Sequence, residues 1–283
     1  MIRFALITGG STGLGAHLVR RFWLEGNSLV VVARDHVDIH SVLDELPKRG
    51  SQSATPLVCD LADAAKVAVL IDAIKAKIPH LNVLVNNAAM QGPIGPMSEN
   101  DPSAWQQTLL VNLLAPVALC RGLIPLMKKS DGASIINLAG GGATGPRANF
   151  SAYATSKAGL VRFSETIAQE LIGYGIRVNC IAPGAMKTAM LKEVLAKSDA
   201  AGSREAYLAR EVFQKGGASM DRVADLALFL ASDASKGISG KLISAVWDNW
   251  EEWPKHLDEL SQSDVYTLRR IAGRDRGFVW GDK

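Results

Sequence analysis

The sequence predicts an α/β protein built on a doubly wound, parallel sheet of seven strands with helices on both faces. Two observations lead to this prediction. Short strand-like runs and longer amphipathic helical segments alternate along the chain. Each strand-like run is apolar at nearly every residue instead of every second one, as a strand must be when helices cover both of its faces.

The predicted strands are rich in β-branched residues or leucine, and they cover residues 3–8, 28–33, 54–59, 81–86, 134–138, 176–181 and 242–246. The segments between them carry apolar residues at helical spacing, which predicts helices at residues 13–26, 62–78, 102–128, 152–174 and 221–232. Strands and helices in this order predict a parallel sheet whose neighbouring strands are joined by right-handed crossovers.

We expect one domain followed by a tail. The 283 residues would allow two domains, but no repeat, low-complexity segment or linker marks a boundary within residues 1–247. Residues 185–220 follow the carboxyl end of the sixth strand, where open α/β sheets bind ligands, so we interpret them as a substrate lid. The tail, residues 248–283 with the adjoining Trp247, holds four of the six tryptophans. It either makes a subunit contact or packs on its own subunit.

Composition and charge exclude several classes of protein. A hydrophobic content of 48% excludes a disordered chain, and a formal net charge of +3 is too small to suggest a nucleic-acid partner. The cysteines Cys59, Cys120 and Cys180 are odd in number and far apart, which favours a reducing compartment. No signal peptide begins the chain, and its longest apolar stretch, residues 109–120, is too short to span a membrane. We therefore expect a cytoplasmic protein with no membrane partner.

A glycine-rich turn joins the first strand to the first helix. It reads Thr8-Gly9-Gly10-Ser11-Thr12-Gly13-Leu14-Gly15. Glycine permits positive φ angles and a close approach of the backbone, and a helix N-terminus offers free N–H groups to a pyrophosphate. Because the turn lies between a strand and a helix, it predicts a dinucleotide-binding site.

The spacing T-G-x-x-x-G-x-G, followed far downstream by Tyr153-x-x-x-Lys157, resembles the compact form of the short-chain dehydrogenase/reductase family. The resemblance extends over residues 3–247. Further matching positions are Asp60, Asn86-Asn87-Ala88, Asn112, Pro183-Gly184 and Thr188. The resemblance implies a Rossmann-type fold and an NAD(P)-dependent enzyme that interconverts a carbonyl and a secondary alcohol. It also implies a homodimer or homotetramer formed through the helices around Asn112 and Tyr153.

The resemblance also implies a set of cofactor-binding residues. They are Gly9, Ser11, Thr12, Gly13, Leu14 and Gly15 in the turn, Arg34 after the second strand, Asp60 and Leu61 at the adenine, Asn87 and Ala88 at the adenosine, Pro183, Gly184 and Thr188 at the nicotinamide, and Tyr153 and Lys157. Asp60 has an alternative role as a helix N-cap before Leu61.

The choice between NADP and NAD depends on the residues that follow the second strand. Arg34 offers a guanidinium to a 2′-phosphate, whereas an acidic residue there would accept the ribose hydroxyls of NAD. This favours NADP. NAD stays open, because Asp35 could neutralise Arg34 or turn toward the ribose itself.

Tyr153 and Lys157 are four residues apart on a predicted helix, so their side chains project from one face. A carbonyl that receives hydride needs a proton donor, and a nearby ammonium would lower the pKa of a phenol toward neutrality. By resemblance, Tyr153 is the general acid in reduction and the base in oxidation, and Lys157 also binds the nicotinamide ribose. Asn112 would kink its helix and hold a water in a proton relay; the alternative is a buried amide satisfied by a neighbouring carbonyl.

One expected catalytic group is missing. Family members carry a serine thirteen residues before the tyrosine, and here that position is Gly140. Thr144 or Ser151 could supply a hydroxyl instead, or the substrate or a water could do so. The three consecutive glycines would leave space for a bulky substrate. The departure keeps open a second function, a cofactor-binding protein with little dehydrogenase activity that acts as a redox-sensing or assembly subunit. His36 and His40 have helical spacing but lack a third ligand, so we expect no metal.

Overall fold

A computed structural model describes residues 2–280. It confirms the α/β class and the single parallel sheet of seven strands, in the order β3-β2-β1-β4-β5-β6-β7. The strands are β1 (Phe4–Thr8), β2 (Ser28–Ala33), β3 (Ala54–Val58), β4 (Val83–Asn86), β5 (Ser134–Leu138), β6 (Arg177–Ala182) and β7 (Leu242–Ser244). The order reverses between β1 and β4, and the crevice at such a switch point is where α/β sheets of this type bind ligands.

The α-helices in chain order are α1 (Gly13–Leu24), α2 (His36–Asp44), α3 (Ala64–Lys77), α4 (Pro102–Leu109), α5 (Ala115–Met127), α6 (Ser151–Leu171), α7 (Ala189–Ala196), α8 (Ser198–Ala201), α9 (Ser203–Lys215), α10 (Met220–Ala231) and α11 (Leu257–Gln262). A π-helical turn, Leu110–Leu114, joins α4 to α5. Short 3₁₀ segments are Met97–Glu99, Ile172–Tyr174, Asp233–Ser235, Trp250–Lys255 and Gly273–Arg276.

Two hydrophobic cores lie on opposite faces of the sheet. Alternate strand residues supply them: Ile7 and Val31 enter the core under α1 and α10, whereas Leu6 and Val30 enter the core under α3, α5 and α6. All four side chains are fully buried. The continuous apolar runs in the sequence follow from this arrangement, because each strand has to satisfy a core on both sides.

The helical stretch Pro102–Met127 is long and apolar enough to cross a membrane, judged by length and composition alone. It is longer than the apolar run of residues 109–120 that the sequence pointed to. The helix is also part of the protein core, because α5 packs against α3 and 39% of its apolar window is buried in this chain. A core helix passes the same length and composition test, so the stretch gives little support for a membrane span.

Part of the tail packs on its own chain, whereas Trp247 and Trp280 are largely exposed. Trp250 and Trp253 are buried in the core beside α10, and the Trp250 ring lies 5.2 Å from that of Phe229. Further along, the Tyr266 carbonyl accepts a 2.8 Å hydrogen bond from Leu242 N, at the outer edge of β7. The last three residues, 281–283, lie outside the described part of the chain.

Candidate active site

The glycine turn excludes side chains at two of its positions. Gly9 has a φ of +65°, and a Cβ there would lie 2.8 Å from Ala88 Cα. A Cβ on Gly15 would overlap the Gly9 carbonyl oxygen. The N-cap residue Thr12 makes no side-chain cap, so the first N–H groups of α1 have no intrahelical acceptor. Thr12 and Gly13 are exposed, which leaves these N–H groups accessible to an anion.

Asn87 and Ala88 hold this turn against the end of β4. Thr8 Oγ1 accepts hydrogen bonds from both of their backbone N–H groups, at 3.0 and 3.1 Å. Asn87 Nδ2 also donates to the carbonyls of Thr8 and Gly9, at 3.0 and 3.2 Å. These bonds fix the turn beside the carboxyl end of β4, so a ligand on the turn would also meet residues 87 and 88.

Arg34 and Asp35 follow β2, and the structure separates their roles. The Asp35 carboxylate is the N-cap of α2, where it accepts hydrogen bonds from Val37 N at 2.7 Å and Asp38 N at 3.1 Å. Arg34 is exposed, and no ion pair or hydrogen bond engages its guanidinium within residues 2–280. The possibility that Asp35 neutralises Arg34 is therefore wrong for this conformation.

Asp60 is not the helix N-cap that the sequence allowed as its alternative role. The cap of α3 is Asp63, which accepts from Ala65 N and Lys66 N. Asp60 is exposed and its carboxylate accepts a 3.0 Å hydrogen bond from Ala62 N in the turn before the helix. The neighbouring Leu61 is buried. Asp60 therefore presents a carboxylate at the carboxyl edge of the sheet, where a second oxygen is open to a ligand.

Tyr153 and Lys157 are both buried near the start of α6. Lys157 Nζ lies 5.7 Å from the Tyr153 ring centroid and donates a 2.7 Å hydrogen bond to the Leu138 carbonyl at the end of β5. Burial lowers the pKa of Lys157 to about 8. Burial raises the pKa of the Tyr153 phenol, and the cation that opposes this shift is Arg147. The lowering of this pKa by Lys157 stays a prediction; in the free chain the Lys157 ammonium donates to Leu138.

Asn112 lies in the middle of the π-helical turn and is fully buried. Its Oδ1 accepts from Met90 N, and its Nδ2 donates to Met90 O, both at 2.9 Å. Nδ2 also donates to Ser156 Oγ on α6, at 3.1 Å. The amide therefore links the π-helical turn to the loop at Met90 and to α6. A buried amide with satisfied hydrogen bonds is the alternative to the proton relay that the sequence left open.

Gly140 is in contact with the tyrosine. A Cβ at Gly140 would lie closer than 3.0 Å to Tyr153 Oη and 3.1 Å from Tyr153 Cζ. The phenol thus fills the place where a side chain of residue 140 would start. The expectation that the consecutive glycines leave space for a bulky substrate is wrong at Gly140, because the Tyr153 side chain occupies the space there.

Neither predicted substitute for the serine is bonded to Tyr153. Ser151 Oγ accepts from Trp105 Nε1 at 3.1 Å and lies 3.2 Å from Met97 Sδ, so its hydroxyl is engaged with α4 and the loop before it. Thr144 is exposed and makes no hydrogen bond to the phenol. Within residues 2–280, neither Thr144 nor Ser151 therefore places a hydroxyl on Tyr153.

Residues 185–220, the predicted lid, form α7, α8 and α9 and pack on Tyr153. Val194, Ala201 and Ala209 pack in one cluster with Phe150 and Tyr153. Thr188 is at the N-cap position of α7 but its side chain makes no capping hydrogen bond, and a Cβ on Gly13 would lie 3.8 Å from its Cγ2. Pro183 and Gly184 follow β6, and Gly184 turns the chain toward the lid with a φ of +78°. The lid thus begins beside the glycine turn, packs on Tyr153 in its middle part, and returns to its start, where Ala218 N donates a 2.8 Å hydrogen bond to Ala185 O.

Sequence reasoning missed Arg147, which lies in the loop between β5 and α6. Its Cζ is 3.8 Å from the Phe150 ring centroid and 5.6 Å from that of Tyr153. It forms an ion pair with Glu205 of α9, at 2.7 Å. No local signal marks this pair, because its two residues are 58 positions apart and meet only when the lid packs on the loop.

The predicted absence of a metal concerned His36 and His40. Their rings stack with centroids 4.0 Å apart on α2. Within residues 2–280, no group of three or more His, Cys, Asp or Glu side chains could hold a metal ion.

The order of these features, from the glycine turn to the tyrosine and lysine of α6, is also that of a known family. A family model described as short chain dehydrogenase matches residues 3–199. The chain belongs to the short-chain dehydrogenases. As a member of this family it is an oxidoreductase.

Relatives of this short-chain dehydrogenase span most of its length. Momilactone A synthase of Oryza sativa subsp. japonica is 34% identical over 242 residues, which cover 84% of this chain and 86% of the rice protein. D-threitol dehydrogenase of Mycolicibacterium smegmatis is 32% identical over 239 residues, covering 84% and 89%. A solved short-chain dehydrogenase of Shigella flexneri, complexed with NADP, matches with a TM-score of 0.75 at 27% identity and covers 86% of this chain and 96% of its own.

Proposed function

We propose that this short-chain dehydrogenase interconverts a carbonyl and a secondary alcohol by direct hydride transfer with NADP, using Tyr153 as the general acid and base. The observation that carries the proposal is the buried pair Tyr153 and Lys157 on α6, with Tyr153 packed against residues of the lid. A buried phenol gives up its proton only when the reacting oxygen develops negative charge beside it. The substrate is a small molecule with a carbonyl or hydroxyl group.

The residues present fit a dinucleotide. The glycine turn forms a cradle that side chains would fill, and accessible N–H groups at the start of α1 suit a pyrophosphate. Asp60 and Leu61 would hold the adenine, Asn87 and Ala88 would border the adenosine, and residues 183–188 would border the nicotinamide. When bound, the nicotinamide supplies or accepts the hydride.

The exposed Arg34 supports NADP over NAD, because a guanidinium can form two charge-assisted hydrogen bonds with a 2′-phosphate. Asp35 caps α2 through Oδ1, and no ion pair joins it to Arg34 in the described part of the chain. Arg34→Asp is expected to weaken NADPH binding about 10-fold or more, since hydrogen bonds to charged groups contribute about 1.5–3 kcal/mol. Binding of NADPH and NADH would be compared by fluorescence titration. A variant that still prefers NADPH would overturn this assignment.

Lys157 and Asn112 support Tyr153 in different ways. In the proposal, Lys157 moves from Leu138 toward the bound ribose and brings its positive charge to the phenol. Asn112 holds a water that passes protons from Lys157 to solvent. Asn112→Ala should then shift the pH profile of turnover, whereas loss of the hydrogen bonds to Met90 alone would lower only the thermal stability.

The central test is turnover of aldehydes and ketones with NADPH by the full-length protein and by Tyr153→Phe. We expect the phenylalanine variant to keep NADPH affinity and to lose turnover about 100-fold or more, as for loss of a general acid. Turnover that survives in Tyr153→Phe would refute the mechanism.

A second function is favoured by Gly140 and by the raised pKa of Tyr153, which both weaken acid catalysis. In this case the chain binds NADP and acts as a redox-sensing or assembly subunit with little dehydrogenase activity. Tight NADPH binding without Tyr153-dependent turnover on any substrate would support it.

We further propose a homodimer or homotetramer in the cytoplasm. Leu114 on the α4–α5 helix is 50% exposed, so an apolar face of this helix is available to a second copy. Cys59, Cys120 and Cys180 are free and buried, which suits a reducing compartment. A monomer in analytical ultracentrifugation would refute the assembly, and recovery from a membrane fraction would refute the location.

A further inference from the structure

Arg147 is a half-buried cation beside Tyr153, and the proposed reaction gives it no role. Its side chain runs along the glycine loop, with Cδ 4.0 Å from where a Cβ of Gly141 would stand. Its guanidinium lies over Phe150 and 5.6 Å from the Tyr153 ring. Only 16% of the side chain is exposed. A charge with so little exposure needs a partner of opposite charge, and the position of that partner shows how the guanidinium is oriented.

The partner, Glu205 of α9, occupies one edge of the guanidinium. Glu205 Oε2 accepts from Arg147 Nε at 3.0 Å and from Nη2 at 2.7 Å. A guanidinium has five N–H groups in a rigid plane, so this edge contact fixes the orientation of the remaining ones. Within residues 2–280, Arg147 Nη1 has no hydrogen-bond acceptor. The loop and the lid thus hold a directed donor beside Tyr153.

The position of this donor matters because Gly140 removes the hydroxyl that would otherwise face the substrate oxygen. The two remaining hydroxyl candidates, Thr144 and Ser151, are not bonded to the phenol, and Ser151 is engaged with Trp105. An oxygen that develops negative charge gains most from a preorganised donor inside a site closed to water. Among the side chains of this loop, Arg147 is the one that combines proximity to Tyr153 with free N–H groups and a positive charge.

We propose that Arg147 is a catalytic residue that replaces the missing serine, donating hydrogen bonds from its outer N–H groups to the substrate oxygen while Glu205 positions it. The inference rests on the proposed function. In carbonyl reduction the carbon gains a hydride from the reduced nicotinamide, and the oxygen gains the proton of Tyr153 Oη. Arg147 keeps all its protons and stabilises the charge that builds on the oxygen before the proton arrives.

The same cation acts on the tyrosine. The charged groups that face Tyr153 are Lys157 on its own helix and Arg147 on the loop, with Glu205 of the lid behind Arg147. Arg147 lowers the pKa of the phenol against the effect of burial. Removing its charge should therefore move the Tyr153-dependent limb of the pH profile to higher pH. A residue with a purely structural role would leave this limb in place.

The test compares Arg147→Ala, Arg147→Lys and Glu205→Gln with the unmodified enzyme in NADPH-dependent reduction of a carbonyl substrate. Loss of one preorganised donor typically slows kcat about 100-fold to 1000-fold, and we expect Arg147→Ala to fall in this range with unchanged NADPH affinity. Arg147→Lys keeps the positive charge but not the planar guanidinium group, so its kcat should fall less than that of Arg147→Ala. The kcat of Glu205→Gln should also fall less than that of Arg147→Ala, because this change releases the guanidinium from its ion pair without removing it. The matched control is Arg210→Ala, an exposed arginine on the same lid helix.

Chemical rescue separates catalysis from folding. Guanidinium ion at low millimolar concentration should restore turnover to Arg147→Ala and leave the unmodified enzyme and Tyr153→Phe unchanged. Unchanged kcat and pH profile in Arg147→Ala overturn the inference. A rise only in the KM of anionic substrates also overturns it, since Arg147 would then be a binding residue for that anion. If the unmodified enzyme has no turnover, the proposed function fails and this inference fails with it, whereas turnover that survives Arg147→Ala refutes the inference alone.

Discussion

A methyl group at Gly140 is expected to destabilise the protein through Tyr153. A Cβ there would lie closer than 3.0 Å to Tyr153 Oη, 3.1 Å from Cζ and 3.2 Å from Cε1, whereas ordinary contacts of a Cβ begin at 3.4 Å. The ring therefore has to move by several tenths of an ångström. It is only 7% exposed and packs beneath the lid, so the movement disturbs its neighbours. Overpacking of this kind costs about 1–3 kcal/mol. A domain of 150–250 residues loses about 2–4 °C of Tm per kcal/mol.

The assay is thermal unfolding of the unmodified protein, Gly140→Ala, Tyr153→Phe and the double variant. Tyr153→Phe deletes Oη, the atom nearest to the added Cβ. The loss of unfolding free energy in the double variant should therefore be about 1 kcal/mol smaller than the sum of the losses in the two single variants. Gly141→Ala is the matched control in the same loop, because its Cβ would meet only Arg147 Cδ, at 4.0 Å.

Two results would refute this reasoning. One is a Gly140→Ala protein that melts at the same temperature as Gly141→Ala. The other is a loss of stability that is unaffected by Tyr153→Phe, which would place the strain elsewhere. The same geometry predicts that Gly140→Ser does not increase turnover, because the added side chain displaces the phenol from its present position.

Three further changes test other parts of the structure. Burial lowers the pKa of Lys157 from 10.5 to about 8, so the folded state binds fewer protons than the unfolded state between these values. Lys157→Met should therefore be more stable than the unmodified protein near pH 7, by on the order of 3 kcal/mol at most. In urea titrations this difference in unfolding free energy should shrink as pH rises from 8 to 10.5. A difference that does not change with pH would contradict this prediction. Gly15→Ala should abolish NADPH binding in fluorescence titration, and Gly173→Ala, whose Cβ meets nothing within 4 Å, should not. Trp253→Ala should lower the free energy of unfolding in urea by about 3–5 kcal/mol, because the Trp253 ring is buried. Trp247→Ala is the control, since its ring is 86% exposed, and an equal loss of stability in this variant would contradict the prediction.

The strands could be predicted closely because continuous apolarity has a clear physical meaning. Two predicted strands, residues 28–33 and 134–138, have the bounds of β2 and β5. The helix predicted at residues 102–128 is interrupted by the π-helical turn Leu110–Leu114. Hydrophobic periodicity alone does not show this interruption. The kink that the resemblance implies at Asn112 lies in this turn, where Asn112 bonds to Met90, 22 residues earlier in the chain.

The candidate site could be predicted from the sequence where a local pattern brings its residues together. The glycine turn and the Tyr153–Lys157 spacing are of this kind, since each depends on a strand–turn–helix or on one helix face. The caps were harder: Asp60 and Asp63 both precede α3, and only the backbone shows that Asp63 caps it. The contact of Arg147 with Glu205 depends on where the lid lies, which no local pattern specifies.

Gly140 shows how the meaning of a residue changes between sequence and structure. In the sequence it is a missing hydroxyl, and the natural search is for another hydroxyl at a nearby position. In the structure it allows the phenol of Tyr153 to approach the end of β5, into space that a Cβ would need. A donor extending from residue 140 cannot share this space with the phenol. Any replacement has to enter from the side, across the glycine loop, which is the path that the Arg147 side chain takes. The glycine and the arginine are therefore two parts of one arrangement, and Gly140→Ser combined with Arg147→Ala should not recover the activity that Arg147→Ala loses.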